Sequence, residues 1–268
     1  MTELFNDIRS LYRFKAPCDE LKNFIEFFSE SCFESTKQIV GDRSFSIKMF
    51  KSWTPTFWIN LGPSYNLMLN GVIHSIKANS AIAVARNVTA ERINQPSDHL
   101  FTIKFYPGGL KHVLGAEQTK LNSGLIELNE LLPYSLIQKI RSAGCLEQRI
   151  CLVEQYLLQN MADEKPPDHY TNLVTQTIAL YTTNGMKFSV NELAFKTFTS
   201  SRTLRRYFDR VIGISPKQYF ESVRLRTALS SFLYDRKSFD PVEYGYYDNS
   251  HFYRTVTLFT GERIADQD

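Results

Sequence analysis

Apolar and polar side chains alternate in short runs between about residue 44 and residue 106. Successive side chains of a β-strand point to opposite faces of a sheet, so each run predicts a strand with one buried face. The apolar positions of these runs are Phe45, Ile47, Met49, Phe57, Ile59, Leu61, Leu67, Leu69, Val72, Ile73, Ile82, Val84, Phe101, Ile103 and Phe105. Roughly six short strands separated by turns predict a small antiparallel barrel or sandwich.

The dipeptide Asn70-Gly71 lies between two of these runs, which end at Leu69 and resume at Val72. The two-residue turn that best joins antiparallel strands needs a positive φ at both positions, and Asn and Gly tolerate that conformation. The sequence therefore predicts a β-hairpin at this point.

From about residue 127 the apolar residues recur every three or four positions, as they do in amphipathic helices. The clearest stripe consists of Leu146, Ile150, Val153 and Leu157. Two interpretations stay open for this stripe: it packs on the strands of its own domain, or it forms the seam of a dimer. It is too short to indicate a coiled coil by itself.

The best candidate for a linker is the polar, charged segment 161–169, which contains Pro166-Pro167. Prolines disfavour helical backbone at the preceding residue and are typical of connections. We therefore expect a first domain over residues 1–161, a linker over 162–169 and a second domain over 170–268. The first domain is predicted to be a β-barrel or sandwich with flanking helices and the second to be all-α, so the fold class is α+β.

Helix start and stop signals follow the linker at regular intervals. The predicted N-caps are Ser189, Ser200 or Ser201, Ser215 and a residue of 248–250, and the predicted helix ends lie near Gly213, Tyr234 and Gly261. Glu192 follows Ser189 by three residues, which is the spacing of a capping box. Pro216 directly after Ser215 favours a helix start and predicts one long helix that runs to about Tyr234.

Composition and charge limit the classes of function that the protein can have. With 43% apolar and 22% charged residues the chain is expected to fold around a core. Neither a secretion signal nor an apolar run of the roughly 20 residues that span a bilayer is visible, so we expect a cytoplasmic protein without a membrane partner. The net charge of +3 is small, but segment 196–226 holds eight basic residues and two acidic ones. This local excess indicates either a nucleic-acid contact or an ordinary solvated helix face.

Four cysteines and five histidines are scattered without metal-ligand spacing. No CxxC, HxH or HxxxH pattern occurs, so we expect reduced, mostly packed thiols, no local metal site and no cofactor. No pair of nucleophile and base is readable either. We expect a protein that is not an enzyme, and a barrel-type metalloenzyme is the less favoured alternative.

Segment 200–211 has the features of a helix that enters the major groove of DNA. Leu204 and Phe208 lie one helical turn apart and form an apolar back, which directs the nearby arginines outward. The side chains that are predicted to reach bases or phosphates are Ser200, Ser201, Arg202, Thr203, Arg205 and Arg206. Arginine is suited to this role because it bonds two acceptors of guanine at once. Any helical hairpin can show such a pattern, so the physical argument alone does not decide the function.

Two separated blocks of sequence resemble the DNA-binding domain of AraC-family (AraC/XylS-type) transcriptional regulators. The first block comprises Leu193-Ala194, Ser200, Leu204, Arg206, Phe208, Gly213, Ser215-Pro216, Tyr219, Arg224-Leu225 and Ala228. The second is GYYDNSHFYR at residues 245–254, followed by Phe259 and Thr260-Gly261. The two blocks agree with the family in order and in spacing, and the resemblance extends over about residues 170–261.

The resemblance implies a sequence-specific transcriptional regulator of bacterial type. Its DNA-binding domain would be a seven-helix unit with two helix-turn-helix modules joined by one long helix, here 216–234. The recognition helices would be segments 200–211 and 248–258. In the second, Asn249, Ser250, Tyr253 and Arg254 take the outward positions, whereas His251 and Phe252 pack or bond within the fold. The implied partners are double-stranded promoter or operator DNA, RNA polymerase, a small-molecule effector and a second copy of the chain as a homodimer.

The sequence departs from the family pattern in both modules. Phe198 stands where the first turn usually has glycine, and a different turn geometry is expected because phenylalanine resists positive φ. Asp240-Pro241 replaces an apolar residue and alanine, so the supporting helix of the second module is expected to be shorter or shifted. A degenerate second module leaves an alternative, in which the regulator acts mainly through protein contacts made by Tyr244, Tyr246, Tyr247 and Tyr253.

By the same resemblance, the first domain would sense a ligand or mediate dimerisation. Candidate ligand-binding residues are Trp53, Trp58 and Phe105, which either line an apolar cavity or fill the core. Arg86, Arg92 and Lys104 either meet an anionic ligand or stay solvated at the surface.

Overall fold

The N-terminal part of the chain is built from short antiparallel strands. A computed structural model describes residues 11–163 and 168–261. The strands are β1 (Tyr12–Lys15), β2 (Ile25–Ser31), β3 (Phe45–Met49), β4 (Thr56–Asn60), β5 (Tyr65–Leu69), β6 (Val72–Ile76), β7 (Ala81–Val84), β8 (Ala90–Asn94), β9 (Leu100–Phe105) and β10 (Leu125–Glu127).

These strands form two sheets. One has six strands in the order β1-β2-β9-β4-β7-β10, and the other has four in the order β3-β8-β5-β6. Every pairing is antiparallel. Within the described residues no ladder joins the two sheets, so of the two predicted architectures the sandwich is correct and the closed barrel is wrong.

The predicted hairpin is confirmed, whereas several strands escaped prediction. Leu69 pairs with Val72 across a two-residue turn in which Asn70 has φ 49° and Gly71 has φ 82°. The strands β1, β2, β8 and β10 were not predicted. In β8 the buried positions include Arg92 and Asn94, so the polar identity of inward side chains hides the alternation.

Helices flank the sandwich and form the whole second part. They are α1 (Phe33–Val40), α2 (Gly109–Leu114), α3 (Tyr134–Ser142), α4 (Leu146–Asp163), α5 (His169–Thr183), α6 (Val190–Lys196), α7 (Ser201–Val211), α8 (Pro216–Tyr234) and α9 (Asn249–Thr260). Short 3-10 helices occupy Gln118–Ser123, Leu128–Glu130 and Pro241–Tyr244. The predicted linker prolines Pro166-Pro167 lie outside the described residues.

The apolar stripe of α4 packs inside its own domain. Leu146, Ile150, Val153 and Leu157 are buried and belong to one core cluster with residues of β2, β4 and β9. Of the two interpretations of this stripe, packing on the domain's own strands is therefore correct. A dimer, if formed, has to use another surface.

The helical part contains two cores that share helix α8. The first core includes Leu193, Leu204, Phe208, Val211, Tyr219 and Phe220. The second includes Leu225, Leu229, Phe232, Phe252 and Val256, together with Phe50 of the sandwich. Each core lies behind one recognition helix, so α8 links the two helix-turn-helix modules.

Local capping signals set most helix starts in this part. Ser189 and Glu192 make both bonds of a capping box, as predicted. Ser200 accepts a hydrogen bond from the backbone N–H of Thr203. Ser215 forms a second capping box with Gln218, and the long helix has its predicted bounds.

Two expectations need correction, and one is confirmed. Phe198 adopts φ 53°, so the first turn keeps the left-handed backbone that was expected to change. Residues 168–261 contain five α-helices and one 3-10 helix, and the supporting element of the second module is shortened to that 3-10 helix, as expected. The implied count of seven helices concerns the whole segment 170–268, whose last residues lie outside the described ones. The thiols of Cys145 and Cys151 are exposed, so the prediction of mostly packed thiols is wrong for these two.

Phe198 offers a test of backbone strain in the first turn. Its side chain is 99% exposed, so little packing is lost on truncation, while a left-handed φ disfavours a bulky residue. We expect Phe198→Gly to stabilise the protein by ~0.5–1 kcal/mol. Phe195→Gly, at an exposed helical position nearby, should destabilise it by ~0.5 kcal/mol. Thermal unfolding of both variants checks the opposite signs, and equal destabilisation would contradict the assignment of strain.

Candidate nucleic-acid interface

Helix α7 exposes a row of arginines on the side opposite its buried apolar residues. Leu204 and Phe208 are fully buried in the first core. With about 3.6 residues per helical turn, Arg202, Arg205 and Arg206 then project from the opposite side, where all three are exposed. These side chains are long, positively charged donors on a solvent-facing helix, as major-groove recognition requires.

One carboxylate lies among these arginines. Arg205 Nε is 3.9 Å from Asp209 Oδ2, and both side chains are more than half exposed. An exposed pair at this distance is worth little. DNA phosphates can therefore compete for Arg205, although Asp209 also repels them.

The hydroxyl groups at the start of α7 are engaged within the protein. Ser200 caps the helix, and its hydroxyl donates to Thr203 Oγ1 at 3.0 Å. Ser201 Oγ donates to Asn191 Oδ1 on α6 at 2.6 Å. The bond of Ser201 thus fixes the recognition helix on its supporting helix, whereas Ser200 and Thr203 bond to each other and cap α7. Asn191 was not predicted, because only the folded turn brings it to Ser201.

Helix α9 is capped in a similar way. Asp248 Oδ1 accepts from the backbone N–H of His251 at 2.7 Å, and His251 Nδ1 accepts from the N–H of Tyr247 at 3.2 Å. His251 therefore bonds within the fold, as expected. Asn249, Ser250 and Arg254 are exposed.

Tyr253, the remaining outward candidate of α9, is only partly available. Its ring lies 5.8 Å from that of Phe232, and it packs against the second core. Of the four tyrosines considered for a protein interface, Tyr246 is buried, Tyr244 and Tyr253 are half-buried, and Tyr247 alone is well exposed. The apolar area that they offer a partner is correspondingly small.

The two modules differ in support and in charge. Helix α6 supports α7, whereas the 3-10 turn Pro241–Tyr244, capped by Asp240, supports α9. Helix α7 carries four arginines and one aspartate, but α9 carries Arg254 alone. The first module is therefore the more complete and the more basic of the two.

A family model described as a helix-turn-helix domain matches residues 193–266. This region contains both recognition helices and the long helix between them. It is an AraC-type helix-turn-helix domain. The chain is a DNA-binding transcriptional regulator that contains this domain.

Solved structures give weaker similarities over most of the chain. ToxT from Vibrio cholerae has 12% identity and a TM-score of 0.47, with 84% of this chain and 96% of that chain covered. The AraC-like transcriptional activator CuxR has 10% identity and a TM-score of 0.34, with coverages of 85% and 92%. A comparison with curated protein sequences finds no match.

The basic segment of the AraC-type domain is less exposed than its sequence indicates. Arg226 is buried and donates from Nη1 to the backbone oxygen of Lys51 at 3.3 Å. Arg224 lies over the Tyr246 ring at 5.5 Å. Burial raises the pKa of Tyr246 to about 12 although Arg224 opposes the shift, so this pair stays a cation and a neutral phenol. The DNA-facing charge of segment 196–226 is thus concentrated on α7.

A small cavity lies inside the sandwich. Its volume is about 30 Å³, and its lining includes Trp58, Arg86, Arg92 and Lys104. The three cationic side chains are nearly inaccessible to solvent, so the interpretation as a solvated face is wrong. Of the three aromatic candidates for a ligand site, only Trp58 lines the cavity. Phe105 packs against Phe57 in the core, and Trp53 packs against the first core of the AraC-type domain.

Lys104 and Arg92 line the cavity and contact polar side chains. Lys104 Nζ is 3.3 Å from Glu26 Oε2, and both side chains are buried. Burial alone would raise the pKa of Glu26, but the surrounding positive charge, including Lys104, lowers it. Arg92 donates to the hydroxyl of Tyr12 at 2.6 Å. Glu26 and Tyr12 were missed in the sequence, because they lie far from these cations along the chain.

Two further observations concern the described residues only. None of the helices in 11–163 and 168–261 is long and apolar enough to cross a membrane. In the same ranges, no three or more His, Cys, Asp and Glu side chains are grouped so as to hold a metal ion.

Asp209 provides a test of the DNA-facing surface. Asp209→Asn removes the negative charge beside Arg205, so repulsion of phosphates falls. We expect binding to duplex DNA to tighten about two- to fivefold, which corresponds to ~0.5–1 kcal/mol. Fluorescence anisotropy at fixed salt measures the change, because affinity depends steeply on ionic strength. Glu130→Gln, an exposed position of the sandwich domain, is the control, and equal affinity of both variants would contradict the placement of α7 on DNA.

Proposed function

We propose that the regulator reads sequence mainly through α7 and uses α9 mainly for phosphate contacts. The observation that supports this division is the row formed by Arg202, Arg205 and Arg206, compared with the single Arg254 of α9. Bidentate arginine contacts to guanine carry sequence information, whereas phosphate contacts position the protein without reading sequence. We assign both recognition helices to the same DNA duplex. We also assign the protein to the cytoplasm, where such a duplex is transcribed.

Alanine substitutions separate the two kinds of contact. Arg202→Ala or Arg205→Ala should weaken binding to a selected sequence by ~1–3 kcal/mol and leave binding to random duplex much less affected. Arg254→Ala should weaken both by a similar, smaller factor and reduce the salt dependence of log K by about one unit of slope.

The measurement is selection of bound duplexes from a random library by the full chain, followed by titrations of all three variants. An equal loss on selected and random DNA for Arg202→Ala and Arg205→Ala would reduce these residues to phosphate contacts. Failure of the wild-type chain to enrich any motif would contradict sequence-specific reading.

We also propose that the sandwich cavity receives the anionic group of a small effector. Nη1 of Arg92 is buried in the wall of the cavity with no hydrogen-bond partner, and such a group gains free energy from an anion that pairs with it. A cavity of about 30 Å³ exceeds the roughly 10–15 Å³ that hold one water. It suits a carboxylate-sized group, and the rest of a larger effector would displace lining side chains.

Thermal unfolding with a panel of small carboxylates tests this site. A ligand at 100 times its Kd should stabilise the wild-type protein by ~2.7 kcal/mol. Arg92→Gln should abolish this shift, whereas Arg43→Gln, an exposed arginine of the same domain, should keep it. Uncharged amides of the same acids serve as ligand controls. No shift with any carboxylate, or an equal shift in Arg92→Gln, would contradict the assignment.

Contacts with other proteins are assigned to surfaces away from α7. The stripe of α4 is buried, so a homodimer would need a face such as strand β6, where Val72 and Ile73 are exposed at a sheet edge. RNA polymerase is proposed as the partner of the DNA-bound regulator. Sedimentation that shows only monomer at micromolar concentration would remove the dimer from this proposal.

A further inference from the structure

The loop between β3 and β4 leaves the sandwich and enters the AraC-type domain. We call residues 50–53 the strap. At one end of the strap, Phe50 is only 5% exposed and belongs to the second core, and its ring lies 5.9 Å from that of Phe259 on α9. At the other end, Trp53 packs against the first core. The strap thus supplies one aromatic side chain to each module.

The joining helix α8 holds the middle of the strap. Arg226, buried on α8, donates from Nη1 to the backbone oxygen of Lys51 at 3.3 Å. A charged donor to a buried carbonyl is among the stronger hydrogen bonds of a protein interior. Because this bond lies between Phe50 and Trp53 in sequence, the strap contacts both modules and the helix that joins them.

On the sandwich side, Arg86 holds the strap by its backbone and its side chain. The carbonyl of Arg86 accepts from the N–H groups of Ser52 at 2.9 Å and Trp53 at 3.1 Å. Its guanidinium donates to the carbonyl of Phe50 at 3.3 Å. The same side chain lines the sandwich cavity, so one residue contacts both the cavity and the strap.

The backbone at this junction is held in a costly conformation. Trp53 has φ 51° and Arg86 has φ 58°, which disfavours bulky residues by ~1 kcal/mol or more each. Gln118 adds a bond from Nε2 to the carbonyl of Trp53 at 2.8 Å. Such strain persists only where the surroundings over-determine the geometry, so the position of the strap is sharply defined.

We propose that Phe50 and Trp53 are positioning residues for DNA binding, which set the relative placement of the two recognition helices from the sandwich domain. Arg86 connects them to the cavity, so this is the route by which occupancy of the cavity reaches the DNA-binding surface. The inference rests on the proposed function, since it assumes that both helices contact one duplex. Neither aromatic residue needs to touch DNA for this role.

The test compares two duplexes that carry the motif selected by the wild-type chain. The short duplex ends beside the part read by α7, and the long duplex continues past the part reached by α9. For wild type, the ratio of the two affinities measures the gain from the second module. We expect Phe50→Ala and Trp53→Ala to lower this ratio about tenfold, while the affinity for the short duplex changes little.

Conservative variants and a matched control keep the result interpretable. Phe50→Leu and Trp53→Phe should restore most of the ratio, and they replace the alanine variants if those do not fold. Phe33→Ala removes an exposed phenyl ring from the same domain and should leave the ratio unchanged. An unchanged ratio in folded Phe50 and Trp53 variants would overturn the inference, as would an equal loss on both duplexes.

Hydrogen exchange on the DNA-free protein separates failure of the inference from failure of the proposed function. Phe50→Ala should accelerate exchange of the amides of α9 relative to wild type and leave the amides of β4 unchanged. If the amides of α9 exchange at the same rate in Phe50→Ala and in wild type, the inference is overturned, whether or not the wild-type protein binds the duplexes. Absence of wild-type binding to either duplex would instead refute the proposed function alone.

Discussion

Helix α8 is the element on which the geometry of the DNA-binding part depends. Its first turns place Tyr219 and Phe220 in the first core, and its later turns place Leu225, Leu229 and Phe232 in the second. Nineteen helical residues span about 28 Å at 1.5 Å each, which is close to the ~34 Å between successive major grooves on one face of DNA. A recognition helix cannot move relative to the other unless α8 bends or a core repacks, and close-packed cores resist both.

The sandwich interior has a composition that stability alone does not explain. Lys104, Glu26, Arg86 and Arg92 are removed from water in a region that apolar side chains could fill. Replacing buried ion pairs by well-packed apolar residues is often neutral or stabilising. Burial also raises the pKa of Asp98 in spite of the nearby Arg92, so the local cost of charge is not fully offset. A cluster that costs this much free energy is expected where it binds a ligand. Through Arg86 it also contacts the strap, which connects the cluster to the DNA-binding part.

Local chemistry made much of the helical fold predictable, and tertiary contacts account for what was missed. The capping residues Ser189, Ser200 and Ser215 and the turn Asn70-Gly71 act within four residues, so the sequence shows them directly. Strand β8 was missed because its inward residues include Arg92, whose burial depends on partners far along the chain. The arginines of α7 were found through their periodicity. The inward orientation of Arg226 could not be found in this way, because its acceptor lies 175 residues away.

The difference between the two modules matters because α8 and the strap connect them. A helix such as α9, with one arginine and a 3-10 support, would bind DNA weakly as a separate unit. Once α7 is seated, however, α9 meets the duplex at an effective concentration set by α8 and the strap, and even a few weak contacts then add to affinity. The gain is realised only when the two helices match the groove spacing, and a displacement that breaks this match loses it entirely. The contribution of a weak second module therefore depends more on the position that α8 and the strap impose on it than on the strength of its own contacts, so a change in the packing of the strap would alter DNA affinity.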